Sequence, residues 1–314
     1  LAYWTFGSPA NPAVLIPSSF RSVLATTTPF LYSSAGGGAA PPFPPDKFFV
    51  VVTSLLGAGE SSSPSNTPAP WSGPNFPRVS FEDNVVLQHA LLTEKLGVRR
   101  LFAEVGFSLG GKQTYHMLSR FPGFVDNAVV IAASARTSPH NWSFIEGPRL
   151  ALVTAFDFHG GNYTEYPSHG IKAFWRAYST WALSQEWFRA RAWERLGYKT
   201  LLGYLGDAWT RDMDANDILV LLSTWQKGDI SVYHPEDGGD LAKALHRIDA
   251  KVLVMPSRTD QYFPPADNEL EVEHLNKGKL RVIDSIWGHL AGGGWNKDDA
   301  EFIKQEVKLF LGLE

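Results

Sequence analysis

The strongest constraint on the fold lies around Ser108, where a strand-like run passes into a helical one through Gly-Phe-Ser-Leu-Gly. Residues 101–105 are mostly apolar, as in a buried strand, and a helical pattern covers residues 109–119. Glycines two positions before and after Ser108 lack the side chains that would collide where strand and helix pack closely. The sequence therefore predicts a sharp turn that holds a strained serine at the end of a strand.

Ser108 in such a turn is a candidate nucleophile. The spacing G-x-S-x-G is typical of a nucleophile elbow, a turn that raises a serine hydroxyl above the end of a parallel sheet. The first turn of a helix has N–H groups without intrahelical acceptors, and these favour developing negative charge. We therefore expect Leu109 N–H to be one donor of an oxyanion hole. The pattern is short, and an inert structural turn is the alternative.

Apolar runs alternate with helical patterns on both sides of this turn, which predicts an α/β fold with a mainly parallel sheet. Besides the run before Ser108, strands are expected at residues 1–6, 13–16, 48–52, 128–132, 251–255 and 280–283, and helices at 85–96 and 298–311. Strand-like runs vanish between residues 141 and 240, where amphipathic stretches cover 171–183, 185–196 and 215–225. We predict a core of residues 1–140 and 241–314 with a helical lid insertion of residues 141–240.

The predicted lid is rich in tryptophan, at positions 175, 181, 187, 193, 209 and 225. Aromatic side chains at helical spacing more often pack a core than bind a ligand. We expect most of these indoles to pack the lid and the others to line an apolar substrate pocket.

Composition argues against several function classes. A chain of 314 residues suits one large α/β domain or one domain with an insertion, and its net charge of -4 does not suggest a nucleic-acid-binding surface. No run of 18 apolar residues occurs, so no membrane span is expected. Without cysteine there is no disulfide, thiolate metal site or cysteine nucleophile. The chain begins at Leu1 within a strand-like run, which suggests a trimmed terminus, and a cytoplasmic location is the default expectation.

Two further polar residues follow predicted strands, Asp260 after 251–255 and His289 after 280–283. Because the carboxyl ends of parallel strands meet at one edge of a sheet, we expect Ser108, Asp260 and His289 to lie together. His289 would accept the Ser108 proton, and Asp260 would orient the imidazole and stabilise its charged form. Asp267 and Asp284 are alternative acids, and a loop-capping role for Asp260 is the structural alternative.

Other titratable residues fit this chemistry less well. His116 follows Ser108 by about two helical turns, which directs it away from the serine hydroxyl. No histidine pattern has the spacing of a metal site, so no metal is predicted. Glu104 is a carboxylate inside an apolar strand, where it would need a basic partner or a pKa raised by burial. We assign it no role.

Several stretches resemble the homoserine O-acetyltransferase branch of the α/β-hydrolase superfamily. They are residues 106–111 (Gly-Phe-Ser-Leu-Gly-Gly), 260–265 (Asp-Gln-Tyr-Phe-Pro-Pro) and Gly288-His289, supported by residues 134–139 and 160–163. The resemblance covers nearly the whole chain and implies an α/β-hydrolase fold, a Ser–Asp–His triad, an acyl-enzyme intermediate, a helical lid and a homodimer. It also implies Phe20 as the second oxyanion donor beside Leu109, with an ordinary strand–helix loop at residues 18–22 as the alternative.

Two positions depart from the homoserine pattern. The residue after the catalytic histidine, an aspartate that binds the substrate amine in those enzymes, is Leu290 here. The place of their arginine for the substrate carboxylate is taken by Trp175, with Arg176 adjacent. A site without these partners discriminates poorly in favour of an amino acid. Trp175, Arg176 and Leu290 are therefore candidate contacts for a more apolar ester or acyl acceptor.

The sequence thus predicts serine-dependent acyl transfer through an ester on Ser108, with hydrolysis of an apolar or bulky small-molecule ester favoured. An O-acetyltransferase of a non-homoserine alcohol is the alternative, with acetyl-CoA as co-substrate and no tightly bound cofactor. A non-catalytic, lid-covered binding protein on the same fold is an alternative of another class. A lyase or carbon–carbon hydrolase would use the same residues.

Overall fold

A seven-stranded sheet forms the centre of the computed structural model, which describes residues 1–34, 39–209 and 213–313. Its strands are β1 (Tyr3–Phe6), β2 (Ala13–Pro17), β3 (Phe49–Thr53), β4 (Leu101–Phe107), β5 (Val125–Ile131), β6 (Lys251–Met255) and β7 (Gly278–Leu280). Their spatial order is β1-β3-β2-β4-β5-β6-β7. Strand β1 pairs antiparallel with β3, and the other pairs of this sheet are parallel. The predicted α/β architecture is confirmed.

Helices cover both faces of the sheet, which explains why β2 and β3 are apolar runs rather than alternating patterns. One face, including Val14, Val50 and Val129, packs against α10 (Lys297–Leu311). The opposite face packs against α1 (Phe81–Ala90), α2 (Leu109–Arg120) and α8 (Leu241–His246). A single turn of π-helix, Leu91–Lys95, continues α1.

The long connection from β5 to β6 is helical. It contains α3 (Pro139–Val153), α4 (Ser168–Ala182), α5 (Gln185–Arg189), α6 (Leu201–Asp207), α7 (Ala215–Gln226) and α8, and α9 (Pro265–Glu273) follows β6. Residues 210–212 of the predicted lid lie outside the described ranges. The indoles of Trp175, Trp187, Trp193, Trp209 and Trp225 are buried in one aromatic cluster, and Trp181 packs against it half-buried. No helix within the described ranges combines the length and the apolar character needed to cross a lipid bilayer.

Two predicted elements differ from the structure. The expected helix at 185–196 is divided, because Arg191 adopts a left-handed conformation (φ 50°) between α5 and the 3-10 helix Ala192–Leu196. This break brings the rings of Trp187 and Trp193 to 5.9 Å, whereas residues six apart in one helix point in different directions. The last strand is Gly278–Leu280 rather than 280–283, and Ile283 forms only an isolated bridge with Ser257.

The chain leaves and re-enters the core at one point between β5 and β6. Arg136 and Asp229 form an antiparallel bridge, and Arg136 Nε donates to Asp229 Oδ2 at 2.8 Å. Beside this pair, Thr137 N–H donates to the Gly228 carbonyl at 2.8 Å. The ends of the segment 137–228 are therefore fastened together. The division into a core and a lid at residues 141 and 240 stays a prediction.

Candidate active site

Ser108 occupies a strained turn between β4 and α2. Its φ of 56° and ψ of -123° lie where a residue with a side chain is disfavoured. A Cβ on Gly106 would overlap the Gly110 carbonyl group, and one on Gly110 would stand 2.5 Å from Pro17 O. Only glycine fits at these two positions, so the turn has the geometry that the G-x-S-x-G spacing predicts.

Ser108, His289 and Asp260 form a continuous hydrogen-bonded chain. His289 Nε2 lies 2.8 Å from Ser108 Oγ, and His289 Nδ1 lies 2.7 Å from Asp260 Oδ2. Because a carboxylate only accepts, Nδ1 carries the proton and Nε2 is left to accept from the serine hydroxyl. All three side chains are buried. This arrangement can remove a proton from Ser108 and hold the resulting imidazolium next to a negative charge.

The loops that carry the acid and the base restrict both side chains. Asp260 follows β6, and its Oδ1 accepts from the backbone N–H groups of Tyr262 at 2.8 Å and Phe263 at 3.1 Å. His289 lies in a 3-10 helix, Gly288–Gly293, after β7. Its ring packs 4.9 Å from both Phe107 and Tyr262, measured between centroids. The acid bonded to the histidine is thus Asp260, and neither rival aspartate takes this place.

The other titratable residues considered from the sequence lie elsewhere. Asp284 is exposed and pairs with Arg258 at 2.7 Å. His116 is buried on α2, bonded through Nδ1 to Tyr233 OH at 2.6 Å, and burial holds its pKa well below the usual value. Burial raises the pKa of Glu104 to about 8. Among the described residues, no group of three His, Cys, Asp or Glu side chains could hold a metal ion.

The two predicted oxyanion donors lie on neighbouring elements. Leu109 is the first residue of α2, and Phe20 lies in the loop after β2. Within the part of the chain that the structure describes, neither N–H donates to a protein acceptor. Ser19 Oγ donates to Phe107 O at 2.7 Å, which attaches this loop to the end of β4 beside Ser108. Both N–H groups are consequently free to bind a ligand oxygen.

A cavity of about 460 Å³ opens above Ser108 and His289. Its wall is mostly apolar and aromatic, and it comes from separate parts of the chain: Phe20, Arg21, Ser22, Ala25, Thr26, Pro29, Phe107, Tyr178, Ala182, Trp209, Tyr262, Leu290 and Trp295. Leu290 therefore lies where the sequence analysis expects a substrate contact. Trp175 and Arg176 are not among the lining residues, and Trp175 is buried behind Phe20, with 6.3 Å between the ring centroids.

Arg21 is a wall residue that the sequence analysis does not single out. Its guanidinium lies 4.9 Å from the ring centre of Trp175 and 5.3 Å from that of Trp209, and it donates to Ala208 O at 2.8 Å. Its φ of 66° is also left-handed. Tyr178 and Trp295 were missed as well. These residues belong to three distant segments with no shared spacing, so the sequence offers no local signal for them.

Comparison with known proteins places this chain in a family. A model described as the alpha/beta hydrolase fold matches residues 31–292. The chain belongs to the α/β-hydrolase family. The α/β-hydrolase fold that the resemblance implies is therefore shown by an independent comparison.

Within this family the chain is an esterase-type enzyme. It is 37% identical over 255 residues to an ethyl acetate hydrolase of Pseudomonas veronii, covering 80% of this chain and 71% of that protein. It superposes on the structure of the acetyl esterase MekB with a TM-score of 0.92 and 31% identity, covering 99% and 90% of the two chains. A homoserine O-acetyltransferase of Rhodopseudomonas palustris is 31% identical over 280 residues, covering 82% and 68%. The resemblance to the homoserine branch is thus confirmed, next to a relationship to acetyl esterases.

Proposed function

We propose that this protein hydrolyses small acetate-type esters through an acyl intermediate on Ser108. The observation that carries the proposal is the hydrogen-bonded chain from Ser108 through His289 to Asp260, of which Ser108 and His289 line the cavity. The names of two relatives, an ethyl acetate hydrolase and an acetyl esterase, support a short acyl group.

The reaction follows from the positions of the donors and acceptors. His289 Nε2 removes the Ser108 proton while Oγ attacks the ester carbonyl carbon. The N–H groups of Leu109 and Phe20 bind the oxygen on which negative charge develops. His289 then gives the proton to the departing alcohol, which leaves the acyl group on Ser108. A water molecule then attacks the acyl carbon while His289 takes its proton, and His289 returns that proton to Ser108 Oγ as the bond to the acyl group breaks and the acid leaves.

The cavity wall supports a neutral ester. Leu290 replaces the aspartate that would bind a substrate amine, and Trp175, in the place of the carboxylate-binding arginine, is buried behind Phe20. Aromatic and aliphatic walls favour the binding of apolar groups, because binding removes apolar surface from water. The polar atoms of the site converge near Ser108. The proposed substrates are therefore neutral esters of a short acid with an apolar alcohol.

Transfer of the acyl group to an alcohol is the second candidate. The 31% identity to a homoserine O-acetyltransferase favours it, with acetyl-CoA as the acyl donor and no tightly bound cofactor. The same serine, histidine and aspartate would serve both reactions. Only the group that discharges the acyl-serine, water or an alcohol, differs between the two.

The first prediction tests the nucleophile. We expect the wild type to hydrolyse ethyl acetate and 4-nitrophenyl acetate, and a fluorophosphonate to add one phosphonyl group to Ser108. Ser108→Ala should lower kcat by at least about 10⁴-fold and abolish labelling, because only substrate binding and the oxyanion donors then contribute to the residual rate. Ser119→Ala is a matched control, since Ser119 is a buried serine at the other end of α2.

Acetyl-CoA distinguishes the two reactions. If acetyl-CoA rapidly acetylates Ser108 and the acetyl group then passes to an added alcohol faster than to water, the function is acyl transfer rather than hydrolysis. Turnover of the simple esters without acetylation by acetyl-CoA would support the esterase. Full ester hydrolysis by Ser108→Ala would overturn both.

A further inference from the structure

A chain of buried polar side chains joins the loop that carries Phe20 to the helix that begins at Leu109. Gln113 Nε2, on α2, donates to the Ser18 carbonyl at 2.8 Å. Gln88 Nε2, on α1, donates to Gln113 Oε1 at 2.7 Å and to Thr53 Oγ1 at 3.1 Å. These four residues are fully buried. The linkage therefore crosses from α1 and β3 through α2 to the loop after β2.

The Gln113 carboxamide contacts both elements that present the oxyanion donors. Ser18, whose carbonyl it binds, precedes Phe20 by two residues. Its Nε2 also lies 3.4 Å from the carbonyl of Leu109, one helical turn earlier on α2. Ser18 is held from the other side as well, because its N–H donates to Thr53 O at 2.8 Å and its Oγ accepts from Leu55 N at 2.9 Å.

Apolar packing alone would hold the loop after β2 against α2 without fixing the orientation of the loop relative to the helix. Pro17 O is so close to Gly110 that an added Cβ would stand 2.5 Å away, so the two backbones touch directly. Burying amide groups is unfavourable unless their hydrogen bonds are made, and hydrogen bonds have direction whereas apolar contacts do not. A buried amide at this junction thus fixes an orientation that leucine or methionine would leave loose.

We propose that Gln113, held in place by Gln88, is a positioning residue that fixes the N–H groups of Phe20 and Leu109 relative to each other. The inference rests on the proposed function, since it concerns the oxyanion of that reaction. Donors stabilise the transition state only when both lie about 2.7–3.1 Å from the place that the oxygen will occupy. Gln113 is not among the residues that line the cavity, and it acts through its bond to the loop at Ser18.

The decisive variant is Gln113→Leu, which has a similar volume but no amide. We expect kcat for 4-nitrophenyl acetate to fall about 10–100-fold, less than the loss of a complete oxyanion donor, with KM within about twofold. A trifluoromethyl ketone, which forms a tetrahedral adduct on the serine, should bind more weakly by about the same factor as kcat/KM falls. The acid limb of the pH–rate profile should not move, because Ser108, His289 and Asp260 are untouched.

Two further variants keep the inference testable. Gln88→Leu leaves the bond from Gln113 to Ser18 but removes the partner that orients the amide, so we expect a smaller loss in kcat of about 3–10-fold. If Gln113→Leu does not fold, this variant decides the question. Thr114→Val is the matched control on α2, because the Thr114 hydroxyl donates to Gly110 O of its own helix rather than to the loop, and its kcat should be unchanged.

The outcomes separate this inference from the proposed function. A wild-type protein that hydrolyses no ester and is not phosphonylated at Ser108 contradicts the proposed function, and the inference falls with it. A wild type that reacts, together with a folded Gln113→Leu that keeps its kcat and its affinity for the trifluoromethyl ketone, overturns the inference alone. A raised KM at unchanged kcat overturns it too, because Gln113 would then affect ground-state binding.

Discussion

Asp260 and Glu104 are both buried carboxyl groups, but their surroundings differ completely. Asp260 receives two backbone N–H groups on Oδ1 and His289 on Oδ2. Glu104 is fully buried in β4, and neither of its oxygens has a hydrogen-bond partner among the described residues. Burial raises the pKa of Glu104 to about 8. Glu104 is therefore mostly neutral near pH 7, whereas Asp260 is surrounded by donors suited to a carboxylate.

The position along the strand explains this difference. Glu104 lies in the middle of the sheet, in register with Leu15 on one side and Ala128 on the other, where the backbone N–H groups belong to the ladder. Asp260 lies beyond the end of β6, where the backbone turns and its N–H groups become free to bind a side chain. In a parallel sheet, the end of a strand can therefore stabilise a charged carboxylate, because the turn that follows supplies hydrogen-bond donors. The middle of a strand has no such donors to offer.

The largest effect on activity is expected from changing Asp260, the carboxylate that accepts hydrogen bonds from backbone N–H groups and from His289. Asp260→Asn keeps an oxygen for the N–H groups of Tyr262 and Phe263 but cannot accept the Nδ1 proton of His289. We expect kcat to fall by about 10⁴-fold, as in serine enzymes whose histidine is left in the wrong tautomer. The thermal midpoint should change by only a few degrees. Steady-state kinetics and a melting curve measure both quantities, and near-normal activity would show that Asp260 does not orient His289.

Glu104→Gln should affect stability and leave activity intact. The pKa of the folded state, about 8, lies above the usual value of 4.5, so the folded protein binds more protons than the unfolded chain between these pH values. The free energy of unfolding of the wild type should therefore decrease as pH rises from about 4.5 to 8. The decrease attributable to Glu104 is of the order of a few kcal/mol, since each unit of pKa shift corresponds to about 1.4 kcal/mol.

Urea unfolding at pH 5 and pH 8 measures this effect. The amide introduced by Glu104→Gln does not titrate, so the variant should gain stability relative to the wild type at pH 8 and little at pH 5. Glu94→Gln, at an exposed glutamate, should show no such difference. Equal stabilities of Glu104→Gln and the wild type at both pH values would mean that the buried carboxyl is compensated by a partner or by water.

Leu290→Asp would place a third carboxyl in the mostly apolar and aromatic wall of the cavity. Leu290 is 7% exposed, lines the cavity and follows His289 directly. We expect kcat/KM for neutral acetate esters to fall about tenfold, with the acid limb of the pH profile moved to higher pH, because a nearby negative charge favours protonated His289. Leu290→Asn has a similar size without the charge. It should lower kcat/KM less and leave the acid limb in place, and an identical shift in both variants would exclude the charge as the cause.

The strands, the nucleophile turn and the three residues of the hydrogen-bonded chain were predictable because their signals are local. Ser108 and Asp260 each follow a mostly apolar strand and His289 follows the short strand β7, and the parallel sheet brings the ends of these strands together. The wall of the cavity was not predictable in the same way. Arg21, Tyr178 and Trp295 approach one another only through tertiary packing. The break at Arg191 also depends on the packing of Trp187 on Trp193, which overrides helix periodicity.

The bridge between Arg136 and Asp229 has a consequence for how such enzymes diversify. The first and last residues of the segment between them are hydrogen-bonded to each other. The length and sequence of this segment can therefore change while the distance between its two ends stays the same. Ser108, Asp260 and His289 all lie outside it, as does the Gln88–Gln113 linkage. Selection on substrate preference can therefore act on Tyr178, Ala182 and Trp209 within the segment while the reaction chemistry is inherited unchanged.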